Sequence, residues 1–425
     1  MINRPVQIDD CFVHDKDRLK HEDALDILKQ RLTSIVENET ISCGDALGRV
    51  VAQDIVAPHP VPLHTNSAVD GYAFRHSDFQ GDPLPRSAKI AAGELSPAPL
   101  KGGTVVRIFT GAPMPLGADT VAMQEDCVTT GDQILLPEGL KPGANCRRAG
   151  EDLSEGDVVL TKSDRLDSAD LAALASIGIA RVSVFKKLSI ALFSTGDEMR
   201  DPSLHESSLR PGEVYDANRP LLKALCGRLP AKINDGGILE DDATKTQNTI
   251  RDASFHHDII ITTGGASKGS EDHMLTTLDA LGKRHLWQLA VKPGRPMMFG
   301  QIKRDNDTNC MFFGLPGNPV AAMVCFLLYV QPALLLLAGG KWHVPHRFQV
   351  PAGFAIKNKK PDRREFLRGA LKVDVNGKLS VEKYDRDGSG LISSLRESDG
   401  LIEIPEETTS VQHGTLVSFI PFSSF

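Results

Sequence analysis

Between residues 16 and 37, Leu19, Ala24, Leu25, Ile27, Leu28, Leu32 and Ile35 recur at helical spacing among charged residues, which predicts an amphipathic helix. From residue 38 the texture shortens into β-branched runs broken by Pro and Gly clusters. The turn-rich stretches 57–64 and 136–145 bracket an expected inserted β domain over 57–146. An inserted domain leaves and returns at neighbouring points, so 1–56 and 147–187 are expected to form one discontinuous linker domain. From residue 188, apolar strand, glycine-bearing loop and helix repeat three times, which predicts a doubly wound parallel α/β domain over 188–340. The last stretch, 341–425, carries short alternating runs separated by Gly, Asp and Asn and reads as a C-terminal β-barrel-like domain. The expected fold class is therefore multidomain α/β plus β.

One segment, 319–338, is apolar over nearly the length that spans a bilayer. Its interior Pro332 beside Gln331, and its continuity with the loop GLPGNP, predict a buried helix and no membrane partner. A length of 425 residues suits several cores. The net charge of −7, without a long basic run, argues against a nucleic-acid partner. Seven scattered cysteines without a CxxC pair suit a reducing compartment better than disulfides or zinc. The N-terminus lacks a signal-peptide pattern, so the expected location is cytoplasmic.

In an open parallel sheet, ligands bind beyond the carboxyl ends of the strands, where the three repeated loops are expected to converge. Gly264, Gly265 and Gly269 in TTGGASKGSED allow close backbone approach, and Ser267 adds a hydroxyl, so the loop suits a phosphate cradle. A tight strand-to-helix turn would need the same glycines. In LPGNPVAA, Pro316, Gly317, Asn318 and Pro319 suit either a capped helix start or a ligand-facing loop. Lys292 and Arg295, held by prolines that include Pro296, suit an oxyanion or a solvated turn. Asp70, Asp152, Glu198, Asp242 and Asp272 sit in turns or beside glycine, and Thr110 adds a neutral hydroxyl. Carboxylates repel an oxyanion, so a shared site needs a hard cation such as Mg²⁺ between them and the ligand; otherwise they bond pterin N–H groups. No HExxH pattern or hydrolytic triad is present.

Taken in order, NSAVDGYAF, FTGAPMPLGADTV, RRAGEDLSEGDVVL, FSTGDEM, GEVYDANRPLL, TTGGASKGSED, AVKPGRP and GLPGNPVAA resemble the molybdopterin molybdenumtransferase family, known as MoeA in bacteria and as the E domain of gephyrin. The resemblance spans the chain. It implies an elongated homodimer that uses adenylyl-molybdopterin and molybdate, cleaves the pyrophosphate with Mg²⁺ and releases AMP and molybdenum cofactor. It further implies contact with the upstream pterin-adenylyltransferase. By motif, Asp70, Thr110, Asp152, Glu198, Asp242 and Asp272 fall on functionally important positions, with Glu198, Asp242 and Asp272 as the implied Mg²⁺ ligands. Lys292, Arg295, Pro296, Arg368 and Ser389 fall where the family holds molybdate. Two departures stand out: Lys268 occupies a position that is usually apolar, and Val69 one that is usually Met. Lys268 leaves room for a catalytically altered paralogue that acts as a scaffold.

Overall fold

The structure, a computed structural model, describes residues 18–93, 99–203, 208–265, 273–304 and 308–425. Asn38–Ser42 pairs antiparallel with Arg181–Phe185, and Ile55–Val56 with Val158–Leu160, so the segments flanking the insert do meet. A capping box between Asp167 and Asp170 starts the helix Ser168–Ser176, whose Leu174 packs with Val51, Ile177 and Val184. The insert opens and closes at one ladder, Asn66–Ser67 against Cys146–Arg147. Between them lies a six-stranded sheet centred on Gly71–Phe74 and Val105–Ile108. Alternate residues face two separate cores, Tyr72 and Phe74 on one side and Ala73 and Val121 on the other.

The α/β sheet runs in the order Ala231–Leu239, Leu188–Thr195, Ile259–Thr263, Asn309–Leu315, Pro296–Lys303, Gly282–Gln288. Its first four strands are parallel. The last two are antiparallel, which differs from the expected all-parallel sheet. Antiparallel neighbours need no crossover helix, and none lies among the described residues between Gly282 and Leu315. Ile190, Leu192, Ile259 and Ile261 face one core, whereas Ala191, Phe193 and Ile260 face the other. Such near-continuous apolar strands are what a sheet covered on both sides requires.

Pro319–Leu337 forms the expected apolar helix, 89 % buried within the protein, so its apolarity is that of a core element. A π-helical turn at Phe326–Val330 precedes Pro332, and its wider ring accommodates the missing N–H and the proline ring. The N-terminal helix is shorter than its pattern suggested, His21–Arg31, and ends where Leu32 turns extended. Although it lies in the 1–56 segment, it buries Ala24 and Leu28 in the α/β core beside Leu334 and Leu337, because its apolar stripe fits the long apolar helix.

In the C-terminal region, Arg364–Val373, Gly400–Ile404, Leu416–Pro421 and Phe348–Pro351 pair in succession. The bridge between Ala352 and Val381 brings the far edge onto Leu379–Lys383 and closes the sheet towards a barrel. Val291–Lys292 from the α/β region joins this sheet parallel to Arg364–Glu365. Two regions thereby share one edge, beside the site.

Candidate active site

Ser194 is level with Thr263, and Thr263 with Leu315, so the three central parallel strands end together. Chain order reverses around Leu188–Thr195, which is the switch point where α/β sheets bind ligands. A cavity of about 1140 Å³ opens there. Such a volume suits a ligand of nucleotide-conjugate size.

The strand-end loops form its floor through Thr195, Gly196, Gly264, Gly265, Gly317 and Asn318. Gly264 has φ +89°, and a Cβ there would sit 2.7 Å from the Thr195 carbonyl oxygen, so only glycine fits. Pro316 is buried, and Pro319 starts the helix. Asn318 holds the cap position, but its side chain makes no capping bond. The Val320 N–H is taken instead by the Ser389 carbonyl at 3.0 Å, so the C-terminal region closes this helix start. Ser267, Gly269 and Asp272, together with Lys268, lie outside the described residues.

Cations reach the same cavity from the segment 291–296 and the C-terminal sheet: Lys292, Arg295, Arg363 and Arg368 line it with Pro296 and Ser389. Gly294 lets that segment pass the apolar helix, since a Cβ would meet the Cys325 sulfur at 2.4 Å. Lys292 faces Glu365 at 3.6 Å, and Glu365 also faces Arg363 at 3.6 Å. Arg368 is buried; its Nε donates to Ser394 Oγ at 3.1 Å and its Nη2 to the Gly388 carbonyl at 3.0 Å. Burial lowers the hold of its guanidinium on the proton, and Asp387 opposes that shift. Arg368 therefore also shapes the loop that carries Ser389. The Asp387 carboxyl, also in the cavity wall, is held below its usual range by Lys383 first, then by Lys292 and Arg368.

Of the expected carboxylates, Glu198 lines the cavity. Asp242 does not: it caps the helix Ala243–His256, accepting from the Lys245 N–H at 2.9 Å, and that bond holds its pKa low. Its neighbour Asp241 lines the cavity instead and exchanges hydrogen bonds with Asp197. A helix start needs one acceptor at the cap, so the residue before it is left to face the cavity. Asp70 and Thr110 come together in the inserted domain, where Asp70 Oδ1 accepts from the Thr110 N–H and Oγ1, each at 2.8 Å. These bonds hold the Asp70 carboxyl below its usual range. Asp152 is exposed on a turn, and none of these three lines the cavity.

Residue-by-residue reading of the motifs missed Asp216, Asn218 and Arg219. Asp216, 1 % exposed, accepts from Ser194 Oγ at 2.6 Å and from Arg219 Nε at 3.0 Å. Arg219 also binds Asp235, at 2.5 Å, and Asp201. The signal was present in GEVYDANRPLL, a charged cluster inside an otherwise apolar helix start. For metal, Glu198 and Asp241 offer the oxygen donors that a hard cation takes. A second group, His21, Glu22 and Glu403, lies close together, but the Arg364 guanidinium already binds both carboxylates.

A two-signed cavity at the switch point of an α/β sheet, completed by a neighbouring β region, has the charges to take an anionic ligand together with a cation. Three family profiles match in succession: MoeA N-terminal region (domain I and II) over residues 19–178, probable molybdopterin binding domain over 191–335, and MoeA C-terminal region (domain IV) over 349–422. A molybdopterin molybdenumtransferase of Haemophilus influenzae is 36 % identical over 93 % of this chain and 96 % of its own. Gephyrin of Dictyostelium discoideum is 30 % identical over 94 % of this chain and 61 % of its own. The molybdopterin biosynthesis moeA protein of Pyrococcus horikoshii superposes with a TM-score of 0.81 at 28 % identity, covering 96 % of this chain and 100 % of that one. The chain belongs to the molybdopterin molybdenumtransferase family.

Proposed function

We infer that this chain is a molybdopterin molybdenumtransferase of molybdenum cofactor biosynthesis, inserting molybdate into adenylyl-molybdopterin with release of AMP. The observation that carries this reading is the single cavity that takes carboxylates from two strand-end loops and cations from Lys292, Arg295, Arg363 and Arg368. Anionic phosphate and molybdate need the cations, whereas Mg²⁺ needs the carboxylates. Glu198 and Asp241 would hold Mg²⁺, with Asp272 as a further ligand on motif grounds. Bound there, the metal would offset charge on the pyrophosphate being cleaved. Lys292 and Arg295 orient the tetrahedral oxyanion. The glycine-bearing floor lets phosphate oxygens approach backbone N–H groups closely.

Asp70 and Thr110 would act from the partner subunit of a homodimer, since they are paired, Thr110 exposed and Asp70 half-buried, in a domain that does not line its own chain's cavity. Val56 and Val158, cross-strand neighbours at 49 % and 55 % exposure, support a subunit contact. Mixing Asp70→Asn with Glu198→Gln subunits tests the sharing: heterodimers hold one intact site, so roughly a quarter of wild-type activity should return. No recovery would rule it out. Incubation with adenylyl-molybdopterin, Mg²⁺ and molybdate tests the reaction itself, and AMP at background would favour the scaffold reading that the gephyrin match suggests. We place the enzyme in the cytoplasm, in contact with the adenylyltransferase that supplies its substrate.

A further inference from the structure

The loops that floor the cavity come from distant parts of the chain, and one helix start ties them together. Asn218 is 2 % exposed and opens the helix Asn218–Cys226. Its Nδ2 donates to Thr263 Oγ1 at 2.8 Å and to the Gly317 carbonyl at 2.6 Å. Thr263 Oγ1 in turn donates to the Pro316 carbonyl at 3.0 Å. A flipped amide would set its oxygen against the Gly317 carbonyl, so the donors fix its orientation. Asp216 anchors the same helix start, accepting from the N–H groups of Asn218 and Arg219 at 3.1 Å each and from Ser194 at 2.6 Å. Asp216 and Asn218, two residues apart, thus reach the ends of all three central strands.

We propose that Asn218 is a positioning residue for the insertion reaction, locking the loops after Thr263 and Leu315 into one register. The proposal rests on the functional reading above. Asn218 lines the cavity, but its Nδ2 is engaged by the two loops and its Oδ1 is sealed from solvent, so the role assigned to it runs through the loops. Each loop keeps its own strand and its own contact residues without the amide, so ground-state binding survives. Without the amide, only the Thr263 Oγ1 and Gly264 N–H bonds to the Pro316 and Leu315 carbonyls hold the loops together, their spacing loosens, and a misplacement of about 1 Å costs on the order of 100-fold in rate. The loss therefore falls on kcat.

Asn218→Ala and Asn218→Asp test this by AMP release and by hydrogen exchange at Gly264, whose N–H bonds the Leu315 carbonyl at 3.1 Å. Both variants should lose roughly 30- to 100-fold in kcat with each KM changed less than about threefold. N218D matches asparagine in size but sets a carboxylate against the Gly317 carbonyl, so it should be at least as impaired as N218A. Exchange at Gly264 should rise about tenfold or more in both. Wild-type kcat in N218D, or a loss confined to KM, would overturn the proposal. If wild-type protein itself releases no AMP, the functional reading fails instead. Exchange then decides alone whether Asn218 locks the loops, and unchanged protection at Gly264 sinks it.

Discussion

The floor of the cavity and the inserted domain both present polar groups, but they are built on opposite physical terms. Beneath the floor, Asp216 and Arg219 are 1 % and 7 % exposed, and each makes several hydrogen bonds. In the inserted domain, the Asp70–Thr110 pair lies at the surface, two hydrogen bonds deep. Buried charge is tolerated only when it is paired, so the floor has one geometry and its groups define shape. An exposed pair contributes little to folding and is available to a ligand. One region fixes geometry; in the proposed dimer, the other would supply chemistry to the second subunit's site.

The largest expected effect comes from breaking the floor. Arg219→Leu strips Asp216 of its buried counter-charge and should cost about 3–5 kcal/mol in denaturant unfolding. A loss below about 1 kcal/mol would make the floor no different from surface. Asp70→Asn should do the reverse: AMP release falls about 100-fold, whereas stability stays within about 0.5 kcal/mol.

A third test uses the junction between the N-terminal helix and the C-terminal sheet. His21 is buried, its Nδ1 2.7 Å from the Tyr329 hydroxyl, and burial, with Arg364 and Arg347 nearby, lowers its pKa from 6.5 to about 3. The unfolded chain protonates below pH 6.5 and the folded chain only near 3, so stability falls as pH drops through that window. At pH 5 the loss is roughly 2 kcal/mol, read as a Tm decrease that His21→Gln should abolish. The smallest effect is expected at Glu22→Gln. Its carboxylate bonds Arg364 at 2.5 Å but is 64 % exposed, so the change should stay under about 1 kcal/mol and shrink further in salt.

Strand-end loops were legible because apolar runs ending in Gly-Asp or Gly-Gly carry their own signature, and Glu198, Gly264, Lys292 and Arg295 do meet in one cavity. The choice between Asp241 and Asp242 was not, because adjacent identical residues differ only in which one the helix start engages. Asp216 was hidden for a related reason: a carboxylate beside Tyr and Ala gives no sign of being buried until Ser194 and Arg219 arrive from elsewhere. Of the two antiparallel strands, Pro296–Lys303 carries the apolar texture of its parallel neighbours, so its direction was not legible, and Gly282–Gln288, GKRHLWQ, is too polar to read as a strand of that sheet.

By itself the sequence determined the local vocabulary: which runs are strands, where glycine permits a tight approach, and that Pro319–Leu337 must be buried or in a bilayer. These follow from periodicity and backbone sterics, which act over a few residues. Only the tertiary structure decided that Lys292 and Arg368 share a cavity with Glu198, and that His21–Arg31 packs on the α/β core. It alone set Asn218 across two loops, 45 and 99 residues away along the chain. Such pairings depend on which surfaces fit when the chain closes on itself, and no local pattern encodes that fit.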